Sequence, residues 1–341
     1  MSVVIPTHNG GPMLVDCVRH LKATEGSLEL ILVDNASDDE SIARTVDLVP
    51  TARVVRNDVN QGFAGACNQG AAIANGEFVL FLNNDALFDG DNLGRLLTAA
   101  ASDHDGAIWQ PINLRPDGSI EFAGDLFTWS GFFLHLDGLP STTSVFSTKA
   151  ACLLVRRSAL EALGGFREDY FAYFEESDLC WRARMAGWEV RVVPESTVVH
   201  LGGVTTSRIL TPAEARYLSF RNRLRTIVAN ASAASLCRIL PLHLLGCLGF
   251  LALFVVTGRL RSVASIVAAV AWPFRNPALM RSQRASSQRG RTLADRDVLR
   301  LELVAPLRPR IIFRHLREQI YRWEALRPGS PYVAEPPEPT G

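Results

Sequence analysis

Four short apolar runs occupy the first 85 residues of this chain, each leading to a polar cluster and followed by helical spacing. Val3–Pro6 ends in Thr7, His8 and Asn9, and Leu28–Val33 ends in Asp34 and Asn35. Ala52–Val55 leads to Asn57 and Asn60, and Phe78–Leu82 ends in Asn83, Asn84 and Asp85. Between them Met13, Leu14, Cys17, Val18 and Leu21 recur at helical spacing. Residues 39–49, 62–75 and 91–101 read as further helices. Continuous apolar strands alternating with helices predict an α/β fold with a doubly wound, mostly parallel sheet covered on both faces. Such sheets bind ligands at the carboxyl ends of their strands. The polar residues that follow the runs are therefore expected to gather on one edge.

With 48% of residues hydrophobic and 21% charged, the chain is too apolar to be disordered as a whole. Six cysteines without a C-x-x-C pair make neither a disulfide framework nor a zinc pattern, and free thiols point to a reducing cytosol. Net charge is zero but split: residues 1–230 hold 19 basic and 28 acidic side chains, and residues 231–341 hold 16 and 7. The acidic front disfavours nucleic acid, whereas the basic, apolar tail favours an anionic membrane surface. No basic n-region or cleavage site precedes the first strand, so no secretory leader is expected.

These shifts divide the chain into a globular unit over 1–230, a membrane-associating helical region over 231–326, and a Pro/Gly-rich, disordered tail over 327–341. Ile239–Thr257 has 19 residues with His243 as its one potential charge, just enough to span a bilayer; Val263–Phe274 has 12, too few. One span with an interfacial segment, a re-entrant hairpin in one leaflet and, as the less favoured reading, a buried helix pair in a soluble domain all fit. Arg275, Arg281, Arg284, Arg289 and Arg291 sit where a cytoplasmic flank would. Phe122–Leu139, rich in aromatics and glycine, reads as a loop region rather than core. Glu175–Gly187 reads as a helix, and Trp188–Val193 as a strand closed by Pro194.

Several residues carry candidate chemistry. Asp85, past a buried strand and flanked by amides, suits Mg²⁺ or Mn²⁺ on a diphosphate, although alone it could simply open a turn. Asp34 can accept from a base N–H or a ribose hydroxyl; Ser37, Asp38 and Asp39 beside it are ordinary helix caps. Asn60 to Gly70 opens a helix with small residues, permitting close backbone approach to a nucleotide. It is neither G-x-G-x-x-G nor a P-loop, so hydride transfer and NTPase chemistry gain no support. Glu175, Glu176 and Asp178 cluster at a helix start, where mutual repulsion can raise one pKa toward that of a general base. His200, beside Gly202 and Gly203, is a candidate metal ligand.

In this order, the stretches resemble the family 2 glycosyltransferases of the GT-A fold, in particular their rhamnosyltransferase-like, non-processive branch. The matching segments are Val3–Gly10, Leu32–Asp38, Asn60–Gly65, Phe81–Asp85, Tyr173–Arg182 and Val199–Gly203, and the resemblance covers about residues 2–225. It implies that Pro6, Thr7 and Asn9 border the nucleotide and that Asp34, next to Asn35, contacts a pyrimidine base. Asn60, Gly62 and Asn68 would lie near the nucleotide and donor sugar. Asn83-Asn84-Asp85 occupies the metal-binding D-x-D position, with Asp85 as its final carboxylate and His200 completing the metal shell. Glu176 stands where the family has its proposed base, usually an Asp, which leaves the base open among Glu176, Glu175 and Asp178.

The implied activity is inverting, metal-dependent transfer of one sugar from a nucleoside-diphosphate sugar to a glycan or polyprenyl-linked acceptor. UDP- and dTDP-sugars, dTDP-rhamnose among them, are the candidate donors, and the cytoplasmic face of the plasma membrane is the expected site. Gln319-Ile320-Tyr321-Arg322-Trp323 fits the Q-x-x-R-W pattern of processive synthases but lies far beyond the acidic cluster, so it reads as coincidence. A nucleotidyltransferase would need a cation in the loop after the first strand, where none occurs before Arg19. A non-catalytic carbohydrate-binding scaffold is disfavoured by the joint presence of Asp85, the acid cluster and His200.

Overall fold

The computed structural model describes residues 1–23, 28–88, 91–139, 141–202 and 210–305. Gly203, the Q-x-x-R-W segment and the tail over 327–341 lie outside the described residues. The expected alternation is present: β1 (Ser2–Thr7), α1 (Gly11–Ala23), β2 (Glu29–Asn35), α2 (Ser41–Leu48), β3 (Arg53–Asn57), α3 (Gly62–Ala72) and β4 (Phe78–Leu82) follow in turn. These four strands pair in parallel in the order β3-β2-β1-β4. Alternate residues face opposite sides. Val4, Ile31, Val33 and Phe81 pack under α3, while Val3, Ile5, Leu32 and Leu80 pack under α1, α2 and α4 (Asn92–Ser102). Apolar cover on both faces is why all five β4 residues are buried and apolar.

Beyond β4 the sheet becomes mixed. It continues through β11 (Cys152–Arg156) and β6 (Gly106–Leu114) to β12 (Glu189–His200). β11 is antiparallel to both β4 and β6, whereas β12 runs parallel to β6. Short strands β5 (Ala86–Leu87), β7 (Ile120–Phe122) and β10 (Thr143–Ser144) pair at its margins. Pro194 does not close β12 as expected. The strand runs on to His200, with a register shift between Val193 and Thr197 around the residue that has no N–H to give. That continuation pairs His200 with Ala86, the residue after Asp85.

The segment 122–139 is also corrected, because it builds core rather than loop. β8 (Asp125–Thr128) and β9 (Phe133–His135) form a small sheet completed by β13 (Val304–Ala305). Phe127 and Phe133 pack there with Phe146 and Trp181. Helix α5 (Arg157–Leu163) precedes α6 (Glu175–Met185). Then follow α7 (Pro212–Asn230), α8 (Ala233–Val256), α9 (Leu260–Arg275) and α10 (Pro277–Arg289). α7 starts with a full capping box between Thr211 and Glu214, which satisfies its first backbone donors.

Candidate active site

The polar residues after the strands do gather on one edge. Thr7 stands level with Asp34 across β1–β2, and Asn35 level with Asn57 across β2–β3. Asn84 Nδ2 donates to Thr7 Oγ1 at 2.9 Å. Asp34, buried, accepts from the Ser37 N–H at 2.9 Å and meets Arg56 Nη1 at 3.5 Å. Asn9, at φ +52°, is tied to the next loop: its N–H donates to Ser37 Oγ and its Oδ1 accepts from the Asp38 N–H. Pro6 lies in β1 opposite Val33.

Three candidates serve as struts in this structure. Asn35 Nδ2 donates to the Gly62 carbonyl and its Oδ1 accepts from Asn57 Nδ2, locking β2, β3 and the start of α3 together. Asn60 Oδ1 accepts from the Gly62 N–H at 2.9 Å, shaping the turn into α3. Asn68 binds both the Phe166 carbonyl and the Phe166 N–H, and its Nδ2 also donates to Glu168. Both ends of its amide are therefore engaged with the 166–168 loop.

Asp85 and His200 come together. Asp85 is buried, and its Oδ1 has no hydrogen-bond partner among the described residues, although His200 Nε2 lies 3.3 Å away. His200 Nδ1 meets Glu121 Oε2 at 2.8 Å, and Glu121 accepts from Lys149 Nζ at 3.3 Å. Burial alone would lower the His200 pKa, but the carboxylates of Asp85 and Glu121 outweigh it and push the imidazole up to about 10. Burial would likewise raise Glu121, yet Lys149 and the His200 ring hold it well below the usual carboxylate range.

Glu175, Glu176 and Asp178 diverge because successive helical residues point about 100° apart. Glu175 turns inward, where burial and the adjacent Glu176 push its carboxyl well above the usual range. Asp178 is fully buried, and Arg167 Nε and Arg182 Nε reach its Oδ2 at 2.9 and 2.7 Å while Asn230 donates to its Oδ1. A carboxylate enclosed in this way is an anchor, so Asp178 is withdrawn as a candidate base. Glu176 lines a cleft open to solvent, with Lys149, His135, Phe133, Tyr173 and Arg223 among its walls. Lys149 therefore connects this cleft, through Glu121 and His200, to Asp85.

The profile described as glycosyl transferase family 2 matches residues 2–164. The N-acetylglucosaminyl-diphospho-decaprenol L-rhamnosyltransferase of Mycobacterium tuberculosis is 28% identical over 61% of this chain and 78% of its own length. Residues 2–164 are thus a glycosyl transferase family 2 domain. The chain is a glycosyltransferase. Its fold resembles that of Staphylococcus aureus TarS 1–349 in complex with UDP-GlcNAc, at a TM-score of 0.55, 18% identity, and coverage of 85% of this chain and 88% of that one. The mannosyltransferase PcManGT of Pyrobaculum calidifontis, in complex with GDP-Man and Mn²⁺, matches at a TM-score of 0.54 and 20% identity, over 84% and 85% of the two chains.

Sequence reading missed two parts of this glycosyltransferase's site. Glu121 lies behind His200, and its only local signal is an acid between the apolar Ile120 and Phe122. Asn222, in the middle of α7 where its helix propensity is poor, is the second. Its Nδ2 donates to the carbonyls of Tyr170, Ala172 and Tyr173 at 3.1, 2.9 and 2.8 Å. This clamp holds the turn before Glu175, where Phe171, Tyr173 and Phe174 all adopt positive φ. Each such residue costs about 1–3 kcal/mol and persists only when its surroundings enforce it.

Gly62 meets this turn from α3, and the neighbouring Phe63 N–H donates to the Phe171 carbonyl. Gly62 has φ +74°, and a Cβ there would lie 2.7 Å from the Phe171 ring and carbonyl. Gly62→Ala is expected to destabilise the protein by about 1–3 kcal/mol from backbone strain alone, read as a lower urea midpoint with unchanged slope. An unchanged midpoint would show that the turn is free to move aside.

Proposed function

We propose that this glycosyltransferase moves one sugar from a nucleoside-diphosphate sugar to a hydroxyl of a lipid-linked or cell-envelope glycan, with inversion at the anomeric carbon. UDP- and dTDP-sugars, dTDP-rhamnose among them, are the proposed donors. The observation that carries the reading is the contact chain Asp85–His200–Glu121–Lys149, which joins an acid past β4 to the cleft lined by Glu176. The globular unit over 1–230 does the chemistry. The helices after it bring the site to the cytoplasmic face of the membrane, where a polyprenyl-linked acceptor resides. The rhamnosyl donor and lipid-linked acceptor rest on the name of the mycobacterial relative.

On this reading Asp34 receives the base, with Pro6, Thr7, Asn9 and Asn84 bordering the nucleotide and Asn35, Asn60, Gly62 and Asn68 shaping the floor beside it. Among the described residues no three His, Cys, Asp or Glu side chains form a metal-binding group. Mg²⁺ needs only one or two carboxylates when phosphate oxygens complete its shell. The buried Asp85 Oδ1, 3.3 Å from His200 Nε2, fits such a site, the ion taking the place of the imidazole proton and Glu121 orienting the ring. A divalent ion held there supplies charge neutralisation to the departing diphosphate. Glu176 takes the proton from the acceptor hydroxyl as that oxygen attacks the anomeric carbon. The new carbon–oxygen bond forms on the face opposite the breaking bond to the diphosphate, which leaves with its electron pair.

Thermal shift against UDP, dTDP, GDP, CMP and ATP, each with and without Mn²⁺, tests this. A diphosphate at 100 times its Kd stabilises by about 2.7 kcal/mol. One pyrimidine diphosphate is expected to act in a Mn²⁺-dependent way, and Asp85→Asn to remove the metal-dependent part. Absence of any shift in folded protein would overturn the donor assignment; an unchanged response in Asp85→Asn would overturn the metal site.

A further inference from the structure

Beyond Arg238, helix α8 is predominantly apolar on every side, and its two faces meet different surroundings. Ile239, His243, Cys247, Phe250 and Phe254 form a buried stripe, and Cys247, Phe250 and Phe254 pack in one cluster with Phe132, Phe220 and Ile266 of α9. The opposite stripe carries Leu242, Leu245, Leu248 and Val255, with Leu245 65% exposed and Leu248 60% exposed. After the turn at Gly258, α9 repeats the arrangement: Ser262, Ile266 and Ala269 are buried, while Leu260, Val267 and Phe274 are exposed. Contiguous exposed apolar surface of this kind marks an interaction site.

Charge identifies its occupant. Between Glu214 and Asp295 lie twelve arginines and no Asp or Glu. Arg238, Arg261, Arg275, Arg281 and Arg289 are exposed around the hairpin. An apolar face flanked by uncompensated cations matches an anionic bilayer, whose acyl region takes the leucines and whose headgroups take the arginines. The packing also bears on topology. α8 is long enough to cross a bilayer, but its inward stripe is bound to the catalytic unit along most of its length. Arg216 lies 4.9 Å over the Phe254 ring and His243 meets the Ser130 carbonyl at 3.0 Å. A spanning α8 would leave these contacts or carry buried arginines into hydrocarbon, where a charged side chain is strongly disfavoured.

We propose that the α8–α9 hairpin is a monotopic membrane face: it lies in one leaflet of an anionic bilayer and does not cross it. This rests on the membrane placement given under the proposed function and fixes its geometry. The test is flotation of the full chain with sealed vesicles, one set pure phosphatidylcholine and the other containing phosphatidylglycerol. Binding is expected to the anionic set, with partial release by salt. Leu245→Glu with Leu248→Glu is expected to lower bound protein at least tenfold while leaving the nucleotide thermal shift intact. That shift separates failure of this inference from failure of the catalytic reading.

Topology is read from cysteines. Cys237 at the start of α8 is exposed, and the other five are buried. A membrane-impermeant maleimide added outside sealed proteoliposomes is expected to label Cys237 and an introduced Val256→Cys from the same side. Labelling from opposite sides would overturn the monotopic geometry. Vesicle binding unaffected by the double glutamate variant, together with loss of a dimer in light scattering, would overturn the membrane assignment in favour of a second copy of this chain.

Discussion

Glu176→Gln is expected to lower kcat by about 10²–10⁴-fold, the usual range for loss of a positioned general base. Donor binding is expected to stay intact, because Glu176 lines the open cleft and the residues proposed for the nucleotide lie at the strand ends. The assay is nucleoside-diphosphate release with envelope lipid extract as acceptor source, beside donor affinity by thermal shift. Glu175→Gln is the matched control. Burial and the Glu176 charge push the Glu175 carboxyl well above its usual range, so an amide imitates the neutral form that burial favours. If Glu175→Gln were the dead variant and Glu176→Gln active, the base assignment would be reversed.

Asp178→Ala is expected to produce the largest loss of stability. Removing one partner of a buried ion pair leaves uncompensated charge and costs about 3–5 kcal/mol. Here two guanidiniums are left, those of Arg167 and Arg182, each almost wholly buried. Urea unfolding at pH 7 measures it, and a loss below about 1 kcal/mol would place Asp178 among exposed pairs instead. Asp178 also predicts a pH dependence. Against the burial that would raise it, Arg182, Arg167 and Asn230 hold its carboxyl below the usual range. Its stabilising contribution is thus present above the unfolded carboxylate pKa, about 3.9, and is lost as pH falls through the depressed folded value. In Asp178→Asn the stability–pH curve is expected to be flatter below about pH 4.

Much of the fold was legible because its signals are local. An apolar strand between turn clusters and a helix with period 3.6 need only their own residues to be recognised. β1 to β4 and their helices were therefore readable, and so was the gathering of Thr7, Asp34, Asn35 and Asp85 on one edge, which follows from parallel pairing. The aromatic segment 122–139 was misread because β8 pairs with β13, some 180 residues away. Pro194 was misread because a register shift lets the strand pass it.

The candidate residues divide along the same line. That Asp85 follows a strand, that three acids open one helix and that an acid-free, arginine-bearing apolar stretch follows residue 230 are properties of the chain alone. Which acid faces the cleft, which has its pKa raised by burial and which is bound by Arg167 and Arg182 belong to the folded state. So do the contact of Glu121 with His200, the Asn222 clamp and the division of α8 into an inward and an outward stripe. Periodicity records which residues avoid water, whereas a side chain's protonation and partners depend on groups brought beside it from distant parts of the chain.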